Sequence, residues 1–120
     1  MARWRTYADR MDAEDAKLVT LARASRARRG SSEGAAVRDL DGRSYAASTV
    51  SLPSLQLSAL RLAIAMAVSS GARGLEAVAV VSDAAEPGRD DLAAVRDLAG
   101  GGVPVLCADS SGVLRATRTA

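Results

Sequence analysis

The 120-residue chain predicts a single α/β domain, a five-stranded mixed sheet covered by helices on both faces in a three-layer α-β-α arrangement. Three observations lead there. Leu75 to Ser82 (LEAVAVVS) and Val103 to Ala108 are continuous apolar runs, the pattern of strands buried on both faces. Asp41-Gly42 separates two short apolar segments, the signal of a hairpin with a two-residue turn. Helical segments with recognisable starts and stops alternate with these strands, giving the order α β β α β α β β.

The elements follow in order. Residues 1–11 are polar and charged and form a tail, with Trp4 and Tyr7 its only means of docking; the domain proper is 12–120. Asp12 can cap the first helix, and Glu14 and Asp15 place acids in its first turn. Met11, Leu18, Leu21 and Ala22 give it a partial apolar stripe, and Gly30 stops it. Glu33 to Asp39 is a strand, and Arg43 to Val50 returns beside it. Pro53-Ser54 breaks the chain, and Ser54 can cap a second helix over Leu55 to Ser70, with Gly71 and Gly74 as its stop. That helix is apolar nearly all round, so it belongs at the domain centre or at a subunit interface. After the central strand, Glu86-Pro87-Gly88 is a turn, and Asp90 or Asp91 caps a short third helix ending at Gly100-Gly101-Gly102. Val113 to Thr117 is the last strand.

Composition narrows the function classes. Hydrophobic residues make up 48% of the chain, enough for a core, but Phe is absent and Trp4, Tyr7 and Tyr45 are the only aromatics. The core must be built from small aliphatic side chains, and its elements should pack closely. The net charge of +2 is near balance. Arg23, Arg26, Arg28 and Arg29 cluster, but no aromatic interleaves with them, and cations at a helix C-terminus complement its dipole. Nucleic acid is therefore not an expected partner. The longest apolar segment, Leu55 to Val68, is interrupted by Gln56, Ser58 and Arg61 and is too short to span a bilayer. A single cysteine, Cys107, and no apolar leader after Met1 fit a reducing cytoplasm.

The chain has no histidine. That removes the usual Ser/His triads and the commonest metal ligand. Gly100-Gly101-Gly102 is not a phosphate loop, because no Gly-Lys-Ser/Thr follows and the run precedes a strand. The adjacent carboxylates Asp90 and Asp91 read as a helix start rather than an acid/base pair.

Several stretches, in this order, resemble the small homotetrameric cytidine deaminases. Gly34-Ala35-Ala36-Val37 followed by Asp41-Gly42-Arg43 is similar to that family's first hairpin. Ser58-Ala-Leu-Arg-Leu-Ala-Ile-Ala-Met-Ala67 resembles its Cys-Ala-Glu-Arg-Thr-Ala-Ile-Phe-Lys-Ala. Ala77 to Asp83 looks like the central strand, and Val103-Pro104-Val105 like the strand after the last helix. Asp91-Leu-Ala-Ala-Val-Arg-Asp-Leu98 falls where the family has Pro-Cys-Gly-Ala-Cys-Arg-Gln-Val-Leu. The likeness runs from about Glu14 to Arg115.

What the resemblance implies about the site is mostly loss. The family's three zinc-binding cysteines fall at Ser58, Leu92 and Val95, and its proton-shuttling glutamate at Leu60. Its ribose-contacting Asn-x-Glu falls near Ala47 and Thr49, or a residue or two later, and neither Asn nor Glu occurs from Asp39 to Gly74. Arg61 and Arg96 persist, as partners for structural acids or helix ends. A neutral hydroxyl and two aliphatic side chains offer a zinc ion no charged soft donor. Deamination at neutral pH needs a metal-activated water, so no metal, no cofactor and no catalytic residue is expected. Cys107, inside an apolar strand, is expected to be a small buried hydrophobe. The expected function is that of a pseudoenzyme acting through a homo-oligomer, tetramer or dimer, or through a protein partner. The alternatives are a non-catalytic nucleoside- or nucleotide-binding module and a genuine deaminase with unrecognised ligands. If the correspondence holds, Ser58, Leu92 and Val95 converge, with the second helix's start facing the third's.

Overall fold

A computed structural model describes residues 12–83 and 86–120. Among these, the elements are α1 (Ala13–Arg29), β1 (Glu33–Asp39), β2 (Ser44–Ser48), β3 (Val50–Leu52), β4 (Leu55–Leu57), α2 (Ala59–Ser69), β5 (Leu75–Ser82), α3 (Arg89–Ala99), β6 (Pro104–Ala108) and β7 (Leu114–Thr119). Five strands form one mixed sheet in the order β2-β1-β5-β6-β7, with β5 and β6 parallel and the other pairs antiparallel. α1 packs on one face of it, α2 and α3 on the other. This is the three-layer α/β architecture expected from sequence. Residues 1–11, with Trp4, Tyr7 and Met11, lie outside the described residues. Among the described residues, no helix is long and apolar enough to cross a membrane.

α1 starts and stops where its local chemistry dictates. The Asp12 carboxylate accepts from the Asp15 N–H at 2.8 Å, satisfying one orphan donor of the first turn. Gly30 adopts φ 60°, and the Gly30 and Ser31 amides close back on Ala27 and Arg26 carbonyls. Leu18, Val19 and Ala22 face the sheet, whereas Leu21, assigned above to the apolar stripe, is exposed. The sheet surface beneath α1 is built from Ala36, Ala77, Ala79 and Val81, and small residues let the helix come close. Gly34 marks the closest approach. A Cβ there would lie 2.0 Å from the Ala22 carbonyl oxygen, so only glycine fits.

The hairpin at Asp41-Gly42 forms, but its turn is longer than two residues. The Asp39 N–H donates to the Arg43 carbonyl at 2.8 Å, Gly42 takes φ 83°, and the Asp39 carboxylate accepts from the Asp41 and Arg43 amides, both at 2.9 Å. A buried carboxylate that gathers neighbouring amides in this way specifies the turn more strongly than the dipeptide does. β2 accordingly covers only Ser44–Ser48, not the whole of 43–50.

The largest departure is at the second helix. Leu55 is not helical: Val50–Leu52 and Leu55–Leu57 pair as an extra hairpin about Pro53-Ser54, with Leu52 opposite Leu55 and Val50 opposite Leu57. The helix begins four residues later than Ser54 allowed, and Ser58 is its cap, accepting from the Arg61 N–H at 3.1 Å. Both serines are competent caps. The alternating pattern of Leu55 and Leu57, and the cross-strand pairs that it makes, decide between them. The third helix also differs. Gly88 is its N-cap, and Asp90 and Asp91 lie within its first turn, where carboxylates favour the positive end of the dipole.

Candidate functional site

The starts of α2 and α3 face each other on the same side of the sheet, beside the first residue of β1. This is where the positions singled out from sequence come together. The Ser58 hydroxyl donates to Asp91 Oδ1 at 2.7 Å. Its oxygen accepts from the Arg61 N–H at 3.1 Å and from Arg61 Nε at 3.2 Å. Arg61 Nε also lies 3.2 Å from Asp91 Oδ1, closing an ion pair. The one proton and both lone pairs of the Ser58 oxygen are thus engaged. Asp91, which the sequence reading placed at a helix start, is only 8% exposed.

Leu60 and Val95 are 1% and 0% exposed and belong to one apolar cluster, against which Leu92 packs. Val95 is one helical turn beyond Asp91, on the same face of α3. Ser58 thus meets Asp91, the residue before Leu92, while Leu60, Leu92 and Val95 share the apolar cluster on this side of the sheet. Arg61 pairs with a structural acid, as the sequence suggested. Arg96 is exposed in the last turn of α3, where a cation complements the dipole.

A second carboxylate, which sequence reasoning read only as the start of a strand, closes the other side. Glu33 Oε1 accepts from the Ala59 N–H at 3.3 Å and from the Thr49 hydroxyl at 3.2 Å. Thr49 is thereby held beside the start of α2, and Ala47 is buried in the core. The signal that could have found these groups lay in the alignment. Asp91 stands where the resembling family has proline, and Glu33 directly precedes the Gly-Ala-Ala run.

Zinc does not fit this donor set. The oxygens at the meeting point are a neutral hydroxyl and the Asp91 carboxylate, which the Arg61 guanidinium already neutralises, and the Glu33 carboxylate beside them is engaged by the Ala59 amide and the Thr49 hydroxyl. A cation brought there would meet another cation, with two aliphatic side chains for its remaining ligands. Among the described residues, no group of three or more His, Cys, Asp and Glu could hold a metal ion. Cys107 is buried in β6 on the same side of the sheet. Burial, with the Glu86 charge adding to it, pushes its thiol up to about 11, so it is protonated at neutral pH and unsuited to ligation or attack.

Three arginines of the cluster at the end of α1, Arg23, Arg26 and Arg28, have partners within the chain. Arg23 Nε donates to the Ser110 carbonyl at 3.1 Å. Arg26 reaches the Ser32 carbonyl at 3.1 Å and Asp83 at 3.4 Å, and Arg28 reaches the Ser25 hydroxyl at 3.1 Å. Arg23 and Arg26 tie the helix end to neighbouring loops, and Arg28 bonds within the helix.

Comparison with known proteins agrees with the geometry. The sequence model of the cytidine deaminase-like family matches residues 11–112, most of the chain. None of the curated proteins matches it. Among solved structures, the cytidine deaminase from Burkholderia pseudomallei superposes with a TM-score of 0.76 at 23% identity, over 86% of this chain and 90% of that one. The enzyme from Mycobacterium leprae gives 0.70 at 23% identity, over 90% and 94%. That from Mycobacterium tuberculosis gives 0.68 at 23% identity, over 78% and 85%. At this identity the structures speak for the shared fold, and the family match reaches across the same elements. The chain belongs to the cytidine deaminase-like family.

Proposed function

We propose that this protein is a non-catalytic member of its family, a pseudoenzyme whose role is carried by self-assembly or by a protein partner. The observation that supports this reading is the Ser58–Asp91–Arg61 network. It stands where a deaminase of this family would gather zinc ligands, and it consumes the hydroxyl that remains. Leu60, at the glutamate's position, has no proton to give or take and is packed into the core. A nucleoside-binding role is less well supported. At the α2 start, the natural place for a polar ligand, the Ala59 amide already donates to the chain's own Glu33 and the Arg61 amide to Ser58. The reducing cytoplasm remains the proposed location.

Assembly is supported by the outer face of α2. Met66 and Val68 are 39% and 52% exposed, and Leu52 and Leu55 are exposed on the neighbouring hairpin. Closed homo-oligomers cover such surfaces by pairing them with their own copies.

The deciding experiment measures metal content and turnover on the purified chain. Less than a tenth of a zinc ion per chain is expected, with cytidine and deoxycytidine left unchanged. One zinc per chain that survives both dialysis and a Cys107→Ser substitution would overturn the metal-free reading. Uridine formation abolished by changing Ser58 or Asp91 would overturn the non-catalytic one.

A further inference from the structure

We infer that Ser58, Asp91 and Arg61 form a metal-free clamp that joins α2 to α3 in place of a shared zinc ion. The inference rests on the metal-free reading above and adds a structural role to it. The family's ligands lie on both helix starts, one cysteine on the first and two on the second, so a bound ion ties the two helices together. Loss of the ion would leave two helix N-termini side by side, each with partial positive charge and unsatisfied amides. This chain meets that problem with two replacements in different motifs. Cysteine gives way to Ser58 and proline to Asp91, and the two new groups are in contact at 2.7 Å.

The chemistry of the pair is reciprocal. Asp91 brings negative charge between the two positive helix ends, and Ser58 caps α2 while donating to it. Arg61, one turn into α2, supplies the cation that keeps the carboxylate from being buried unpaired. Neither replacement is sensible alone. Ser58 without Asp91 loses its acceptor, and Asp91 without Ser58 and Arg61 is a charge left against Leu60 and Val95.

A double-mutant cycle of Ser58→Ala and Asp91→Ala, followed by thermal and urea unfolding of the full chain, tests the clamp. Ser58→Ala alone also removes a helix cap, and the cycle cancels that contribution. The unfolding constant should rise about tenfold for each single change. In the Asp91→Ala background, Ser58→Ala should cost at least threefold less than it does alone. Ser58→Thr, which keeps the hydroxyl, should recover most of the midpoint. Should the alanine pair fail to fold, the same cycle is run with Asp91→Asn and Arg61→Gln, which lose the charges and keep polar side chains. Strict additivity in whichever cycle is measured overturns the clamp. Wild-type midpoints are also taken with EDTA and with added zinc, and neither should move them. A midpoint lowered by EDTA would show that a metal joins the helices and would overturn both the clamp and the metal-free reading. Additivity without any EDTA effect overturns the clamp alone.

Discussion

The Tyr45 hydroxyl donates to Asp39 Oδ2 at 3.0 Å, and this bond locks the first hairpin from β2 back to the end of β1. Burial by itself would raise the Asp39 carboxyl. The Arg43 amide, the Tyr45 hydroxyl and the Asp41 amide outweigh it, and the group sits below the ordinary carboxylate range. Asp109 is held low in the same way, burial being opposed by the Val113 amide and by Arg115. Each carboxylate binds its proton less readily in the folded state than in the unfolded one. The stability they contribute is complete above the unfolded value, about 3.9, and is lost as pH falls through the folded one. The melting temperature should hold steady from neutral pH to about 5 and fall below about 4. Asp39→Asn should lower the midpoint at pH 7 and flatten the acid slope, and a melting series in pH checks both.

The approach of α1 to the sheet gives a second test. A side chain at position 34 would meet the Ala22 carbonyl and Arg26 backbone, neither of which can swing aside. Gly34→Ala should destabilise the fold by roughly 1–3 kcal/mol, the cost of overpacking a well-fitted interface. Gly101→Ala is the control, because the nearest atom to a Cβ there, the Ala120 carbonyl oxygen, is 3.9 Å away. Urea unfolding of the two variants should separate them clearly.

Rebuilding the metal site tests the correspondence of positions. Ser58→Cys, Leu92→Cys and Val95→Cys together, with Asp91→Pro to open the clamp, should give a chain that takes up one zinc ion under reducing conditions. Turnover of cytidine should additionally need Leu60→Glu. Zinc uptake is read by mass spectrometry under native conditions. A folded variant that binds none would reject the placement of these residues around one point.

Cys107 should resist modification in the native state. Its thiol is protonated and nine-tenths hidden, so a disulfide reagent such as DTNB should label it at least a hundredfold more slowly than in urea. Rapid native labelling would contradict the burial of β6.

Self-assembly is checked by light scattering coupled to size exclusion at micromolar concentration. A mass of two or four chains is expected, reduced by Met66→Glu or Val68→Glu without loss of secondary structure by circular dichroism. A single-chain mass for the unmodified protein would defeat the assembly reading.

The ends of α1 and the buried strands were legible in the order of residues, because each depends on local grammar. Asp12 and Gly30 bound α1 through their own backbone and side-chain preferences. The apolar runs at 75–82 and 103–108 needed no partner to be recognised as strands. The absence of histidine is a fact of composition, whereas the reading of Leu92 and Val95 as lost thiolates came from the resemblance. Other features depended on what lies across the fold. Ser54 and Ser58 are equal as caps, and the pairing of Leu52 with Leu55 chose between them. Asp91 reads as one more acid in a helix start until Ser58, 33 residues away, is brought to 2.7 Å. Glu33 likewise acquires its meaning from Ala59 and Thr49. Hydrogen bonds between distant carboxylates and hydroxyls have no period and no spacing rule, so a sequence determines them only through the packing that brings their partners together.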